Sequence, residues 1–191
     1  MTLAAVKKAV ESLKPQIMAA KPLPQELSDI KIEDWLIKVT RQDLRPDQIF
    51  ITSTLPTCKL VVGTAIDPAT PSGMALLHKA LGALTHMVAP ELLLPQARQI
   101  AARLGCAPGR WKISGGKKVL GHCNSKKEIS LSSMLTLFPR RLRRYVICHE
   151  LAHLTHMNHS KAFHDLCNAY LEGKEKALSQ ELKHYKWPVL L

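Results

Sequence analysis

The chain has 191 residues, 46% hydrophobic and 22% charged, which fits a folded globular protein of one domain, or one domain with an N-terminal appendage. Nothing approaches the ~20 consecutive apolar residues of a membrane span. Lys7, Lys8, Glu11 and Lys14 interrupt the apolar core that a signal peptide needs. Five cysteines without a Cys-x-x-Cys pair argue against a disulfide framework or a cysteine zinc ribbon, so a cytoplasmic protein with reduced thiols is expected. The formal net charge is +12, and residues 105–191 hold 15 Lys+Arg against 6 Asp+Glu. Such a basic half is either a solvated face or a surface for an acidic or nucleic-acid partner.

Residues 2–14 read as a short amphipathic helix, and Pro15, Pro22 and Pro24 mark an irregular stretch over 15–30. Short β-like fragments follow at Leu36–Thr40, Gln48–Thr52 and Lys59–Val62. After a loop at 67–73, two helical runs are predicted, Met74–Val88 and Pro95–Leu104, the second stopping at Gly105. Residues 1–94 are taken as a helical and irregular region packed on a catalytic domain at 95–191.

From Gly109 the pattern turns to strands: Trp111–Ser114, Lys118–Cys123 and Glu128–Ser133. Gly115-Gly116 is a turn signal between the first two, and Asn124–Lys127 links the next pair. Pro139 opens a helix predicted to reach His156 or Met157, with Asn158 as the stop. A last helix is predicted over Ser160–Leu171, with Ser160 as its N-cap.

Residues 149–153 read His-Glu-Leu-Ala-His. On a helix, positions i and i+4 share a face, so His149 and His153 present two imidazoles to one ion. Glu150 sits about 100° further round, beside the ion but not on it, where it can take a proton from a metal-activated water as general base. Zinc is the expected metal, because it brings the pKa of such a water down to about 7. Leu142 and Val146 share the histidine face, while Ile147, Leu151 and Leu154 lie opposite, as the floor of a buried active site requires.

Catalytic zinc usually takes three protein ligands and leaves one position open. His159, just past the predicted helix end, is the favoured third ligand, with Glu172 and His164 as alternatives. The spacing also fits the metzincin signature, but His156 stands where that signature needs glycine and no methionine follows Met157.

The stretch Val146–Leu166, VICHELAHLTHMNHSKAFHDL, resembles the YgjP-like metallopeptidase family, relatives of the SprT-like zincins. The family pattern is approximately YVVxHELAHL followed by NHSxxFW. Upstream, Gly121-His122-Cys123 is similar to the Gly-Ser-Cys of the family's strand, with His122 in place of the serine. His164 stands where the family usually has tryptophan. The resemblance covers residues 95–171. It implies an α+β, zincin-like fold, a small sheet packed on the HExxH helix with a second helix behind. It also implies zinc on His149, His153 and His159, with Glu150 as catalytic base. Through it the Glu128–Ser133 strand gains a candidate role as an edge that pairs with an extended peptide.

Three functions compete at this stage: a zinc metallopeptidase acting on a peptide or protein, a non-peptidase metal hydrolase, and a basic nucleic-acid-associated zinc module. No Gly-rich phosphate loop supports the second, and Glu150 has no task in the third. Arg140, Arg141, Arg143 and Arg144, with Lys117, Lys118, Lys126 and Lys127, would supply the basic patch. His122 and Tyr185 are candidates for stabilising an oxyanion. Asp165 and Asn158 are candidates to orient a ligand histidine. Cys123, Cys148, Trp35, Trp111 and Trp187 are read as packing residues.

Overall fold

The computed structural model describes residues 27–116 and 119–186. The helix expected at 2–14, most of the proline-rich stretch, Lys117, Lys118 and Trp187 lie outside the described residues.

All three early fragments are strands. β1 (Ile30–Lys31), β2 (Leu36–Gln42), β3 (Ile49–Thr52) and β4 (Thr57–Gly63) form a sheet in the order β1-β2-β4-β3, with β2 and β4 parallel. Alternation turns one face inward: Ile37, Cys58, Leu60 and Val62 are fully buried. They pack against Leu77, Leu81, Leu84 and Val88 of a long helix, α1 (Pro71–Arg103).

That helix replaces the two predicted runs. Thr70 caps it by accepting from the Gly73 N–H at 3.1 Å, and Pro71 occupies the first position. It continues through Pro90 and Pro95, each of which removes a backbone hydrogen bond at about 3 kcal/mol in an unsupported helix. Burial offsets this. The N-terminal half of α1 feeds the core just described, and Ala89, Leu93, Ala97 and Ala101 enter a second core. Each fully buried leucine contributes about 1.5–3 kcal/mol, enough to carry the helix across the proline steps. α1 therefore runs unbroken through residues 94 and 95. It ends as predicted: Gly105 adopts φ 66°, a left-handed conformation that costs glycine little.

The second core lies under a three-stranded sheet of β5 (Arg110–Ser114), β6 (Gly121–Cys123) and β7 (Glu128–Ser132). The order is β5-β7-β6, with β5 parallel and β6 antiparallel to β7. Gly115-Gly116 therefore does not close a hairpin, since β7 lies between the strands on either side of it. β7 is also central, with Ile129 and Leu131 fully buried, so it is not the expected edge strand; the edges are β5 and β6.

A 3-10 turn (Ser133–Leu137) leads into α2 (Arg140–Ala152), which carries the HELAH residues. α3 (Lys161–Tyr170) and α4 (Glu175–His184) follow. Ser160 caps α3 as predicted, accepting from Phe163 N–H at 3.4 Å, whereas α4 has no counterpart in the sequence reading. All five cysteines are free thiols and four are buried. Burial pushes Cys148 up to about 11 and Cys167 up to about 12, so they act as small apolar residues. No helix among the described residues is long and apolar enough to cross a membrane.

Each arginine of α2 is paired with a carboxylate, and one of the four is buried. Arg143 is 1% exposed and donates to Asp34 at 2.7 Å. Arg140 pairs with Asp34, Arg141 with Glu181 and Arg144 with Glu172. Residues 33–35 thus fasten the first sheet to the start of α2. Trp35 adds a buried hydrogen bond from its ring N–H to the Thr136 carbonyl, at 2.9 Å.

Candidate metal centre

α2 is shorter than predicted. It ends at Ala152, and the backbone tightens into a turn in which Leu154 N–H bonds to the Leu151 carbonyl and Thr155 N–H to that of Ala152. This early exit brings the following loop back over the helix end. His159 then stands beside His149 and His153, which lie one turn apart. One ring nitrogen of each of the three lies within 4.8 Å of the others. The Nε2 atoms of His149 and His159 face each other at 3.1 Å.

Phe163 of α3 forms the floor. It is fully buried, and its ring centroid lies 4.9 Å from that of His149, 4.5 Å from His153 and 4.8 Å from His159. The cluster is graded outward: His153 is buried, His149 half-buried and His159 exposed. One side of the centre is therefore open to solvent.

The donor set suits a metal ion. Tetrahedral zinc with Zn–N bonds near 2.0–2.1 Å holds its nitrogens about 3.3 Å apart, close to the His149–His159 separation. The imidazoles also favour the neutral form a ligand needs. Burial, then the neighbouring rings of His153, His159 and His164, push His149 down to about 4. His153 is lowered as well, by burial and by the nearness of His159 and His122, against the opposing His156 carbonyl. That carbonyl fixes the tautomer. It can only accept, so His153 Nδ1 donates to it at 2.9 Å and Nε2 keeps its lone pair for the cluster. His149 Nδ1, in contrast, is buried with no hydrogen-bond partner among the described residues.

Glu150 points away from the ligand face toward β6. It is 5% exposed, and burial pushes its carboxyl up to about 7, against an opposing hydrogen bond from the Cys123 backbone N–H. A carboxyl poised near neutrality both accepts and returns a proton, as acid–base catalysis requires.

Other sequence candidates are engaged by neighbours outside the cluster. Glu172 is engaged by Arg144 at 2.6 Å, and His164 pairs with Glu175 at 2.7 Å. Asp165 pairs with Lys161. The Tyr185 hydroxyl donates to the Leu137 carbonyl while its ring packs on Phe138 at 4.6 Å, a structural task and not an oxyanion contact. His122 is exposed on β6, near enough for its charge to oppose protonation of His153. Sequence reasoning assigned no role to Phe163 and no task to Gly121. The only signal was the recurrence of both in the family pattern.

A helix bearing an HExxH pair, a third histidine returned by the next loop and a small mixed sheet alongside define an α+β, zincin-like fold with a metal-type histidine centre. Residues 68–185 match the family described as YgjP-like, metallopeptidase domain. The match spans well over half of the chain, and the protein belongs to that family. No curated protein and no solved structure matches the chain.

Proposed function

We propose that the protein is a zinc-dependent peptidase in which His149, His153 and His159 hold the metal and Glu150 is the general base. The convergence of three ring nitrogens, two of them from the helix that also carries the buried carboxyl of Glu150, supports this reading. Zinc in that position would supply Lewis-acid chemistry, polarising a peptide carbonyl and acidifying a water. Glu150 takes the proton of the attacking water and passes it to the departing amine, which leaves as a neutral group. β6 is an edge strand with Gly121 against Glu150, and an extended peptide paired with that edge would lie near Glu150. A non-peptidase hydrolase or a nucleic-acid module gains no comparable support. Of the residues expected in a basic patch, Arg140, Arg141, Arg143 and Arg144 face carboxylates.

Metal analysis of purified protein with Glu150→Gln and His159→Ala tests the assignment. The wild type and Glu150→Gln should each carry about one zinc per chain, and His159→Ala should bind it far more weakly. Casein hydrolysis should fall by about 100-fold or more in Glu150→Gln. Full zinc occupancy in His159→Ala would relocate the third ligand. Undiminished hydrolysis by Glu150→Gln would remove its assigned role.

A further inference from the structure

We infer that Gly121 is a positioning residue for Glu150: the bare backbone of β6 at this position is the cradle that sets where the Glu150 carboxyl lies. The inference rests on the general-base role proposed for Glu150. A Cβ built on Gly121 would lie 2.6 Å from both Cγ and Oε1 of Glu150 and 2.8 Å from Cδ. Those three atoms are its nearest neighbours, so the missing side chain makes room for Glu150 and for nothing closer.

Backbone conformation does not account for the glycine. Gly121 lies in a regular strand, paired with Leu131, and is not among the residues with positive φ. A side chain there would be conformationally acceptable, and the atoms nearest to it all belong to Glu150. Nor can Glu150 yield cheaply. The contact reaches Cγ, near the root of the side chain, so bending the tip is not enough. The group is buried and is held by the Cys123 N–H two residues along the same strand. A methyl group at 121 must therefore turn Glu150 to another rotamer, break its bond to Cys123 or push β6 off α2.

The test is a double-mutant cycle of Gly121→Ala, Glu150→Ala and the pair, with thermal stability, zinc content and casein kinetics measured on each folded protein. Gly121→Ala should lower Tm by about 3–8 °C, the scale of one methyl forced into a packed site. In the Glu150→Ala background, where the obstructing atoms are gone, most of that loss should vanish. Zinc should stay near one per chain in Gly121→Ala. Its kcat should fall about 10- to 100-fold with KM changed by less than about threefold, because a displaced base affects the chemical step more than binding. If Gly121→Ala fails to fold, rescue by Glu150→Ala supports the cradle, and failure of both variants overturns it. Equal Tm losses in the two backgrounds, or an unchanged kcat, also overturn it. A wild type that hydrolyses no peptide would sink the peptidase reading, while the stability cycle would still judge the cradle.

Discussion

Glu33 Oε2 accepts a hydrogen bond from the backbone N–H of Arg140 at 2.8 Å, across 107 positions of sequence. α2 needs this contact. Its N-cap is Pro139, which offers no side-chain acceptor, and its first turn contains no acid. The first turns hold arginines, whose charges oppose the helix dipole. A carboxylate from the turn between β1 and β2 supplies both the cap and the compensating charge. Glu33→Ala should therefore destabilise the protein by about 1 kcal/mol, the usual cost of a lost cap. Urea unfolding measures this, and zinc content should not change.

Asp34 links pH to stability. Burial alone would raise its pKa, but hydrogen bonds and charge from Arg143, followed by Arg140, outweigh that and hold it below its ordinary 3.8. A folded value below the unfolded one means that the stabilisation is complete above about pH 4 and is lost as pH falls through the lower folded value. Asp34→Asn removes the charge and leaves Arg143 buried without a counterion, at about 3 kcal/mol near pH 7. The gap between wild type and variant should narrow as pH drops below 4 in urea titrations. A gap constant from pH 7 to pH 3 would contradict the ion-pair account.

The two discarded ligand candidates give a control. Glu172→Ala and His164→Ala should each keep about one zinc per chain, since both side chains are committed to neighbours outside the cluster. Zinc loss in either variant, detected by plasma emission spectrometry, would return that residue to the coordination sphere.

Phe163 supports all three imidazoles from below. Phe163→Ala should cost about 3–5 kcal/mol, as large-to-small changes at fully buried aromatics do, and should weaken zinc binding by freeing the rings to reorient. Phe163→Leu should retain most of both properties. Zinc affinity by chelator competition and stability by urea unfolding report the two effects separately.

The His-Glu-Leu-Ala-His spacing determined on its own that two imidazoles would share a helix face with an acid alongside, because helical periodicity leaves no other arrangement. Ser160 and Gly105 likewise announced the helix ends they form, since caps and left-handed residues are local chemistry. The path of α1 through two prolines was not legible. The prolines are local, while the burial that outweighs them comes from two cores formed by distant residues. For the same reason the arginines of α2 looked free: their partners Asp34, Glu172 and Glu181 lie 28 to 109 positions away. Sequence named His159, Glu172 and His164 as rivals for one place. Only the tertiary structure brings His159, and neither of the other two, into the cluster with His149 and His153, because the early end of α2 and the Phe163 floor determine where the loop after the helix can return.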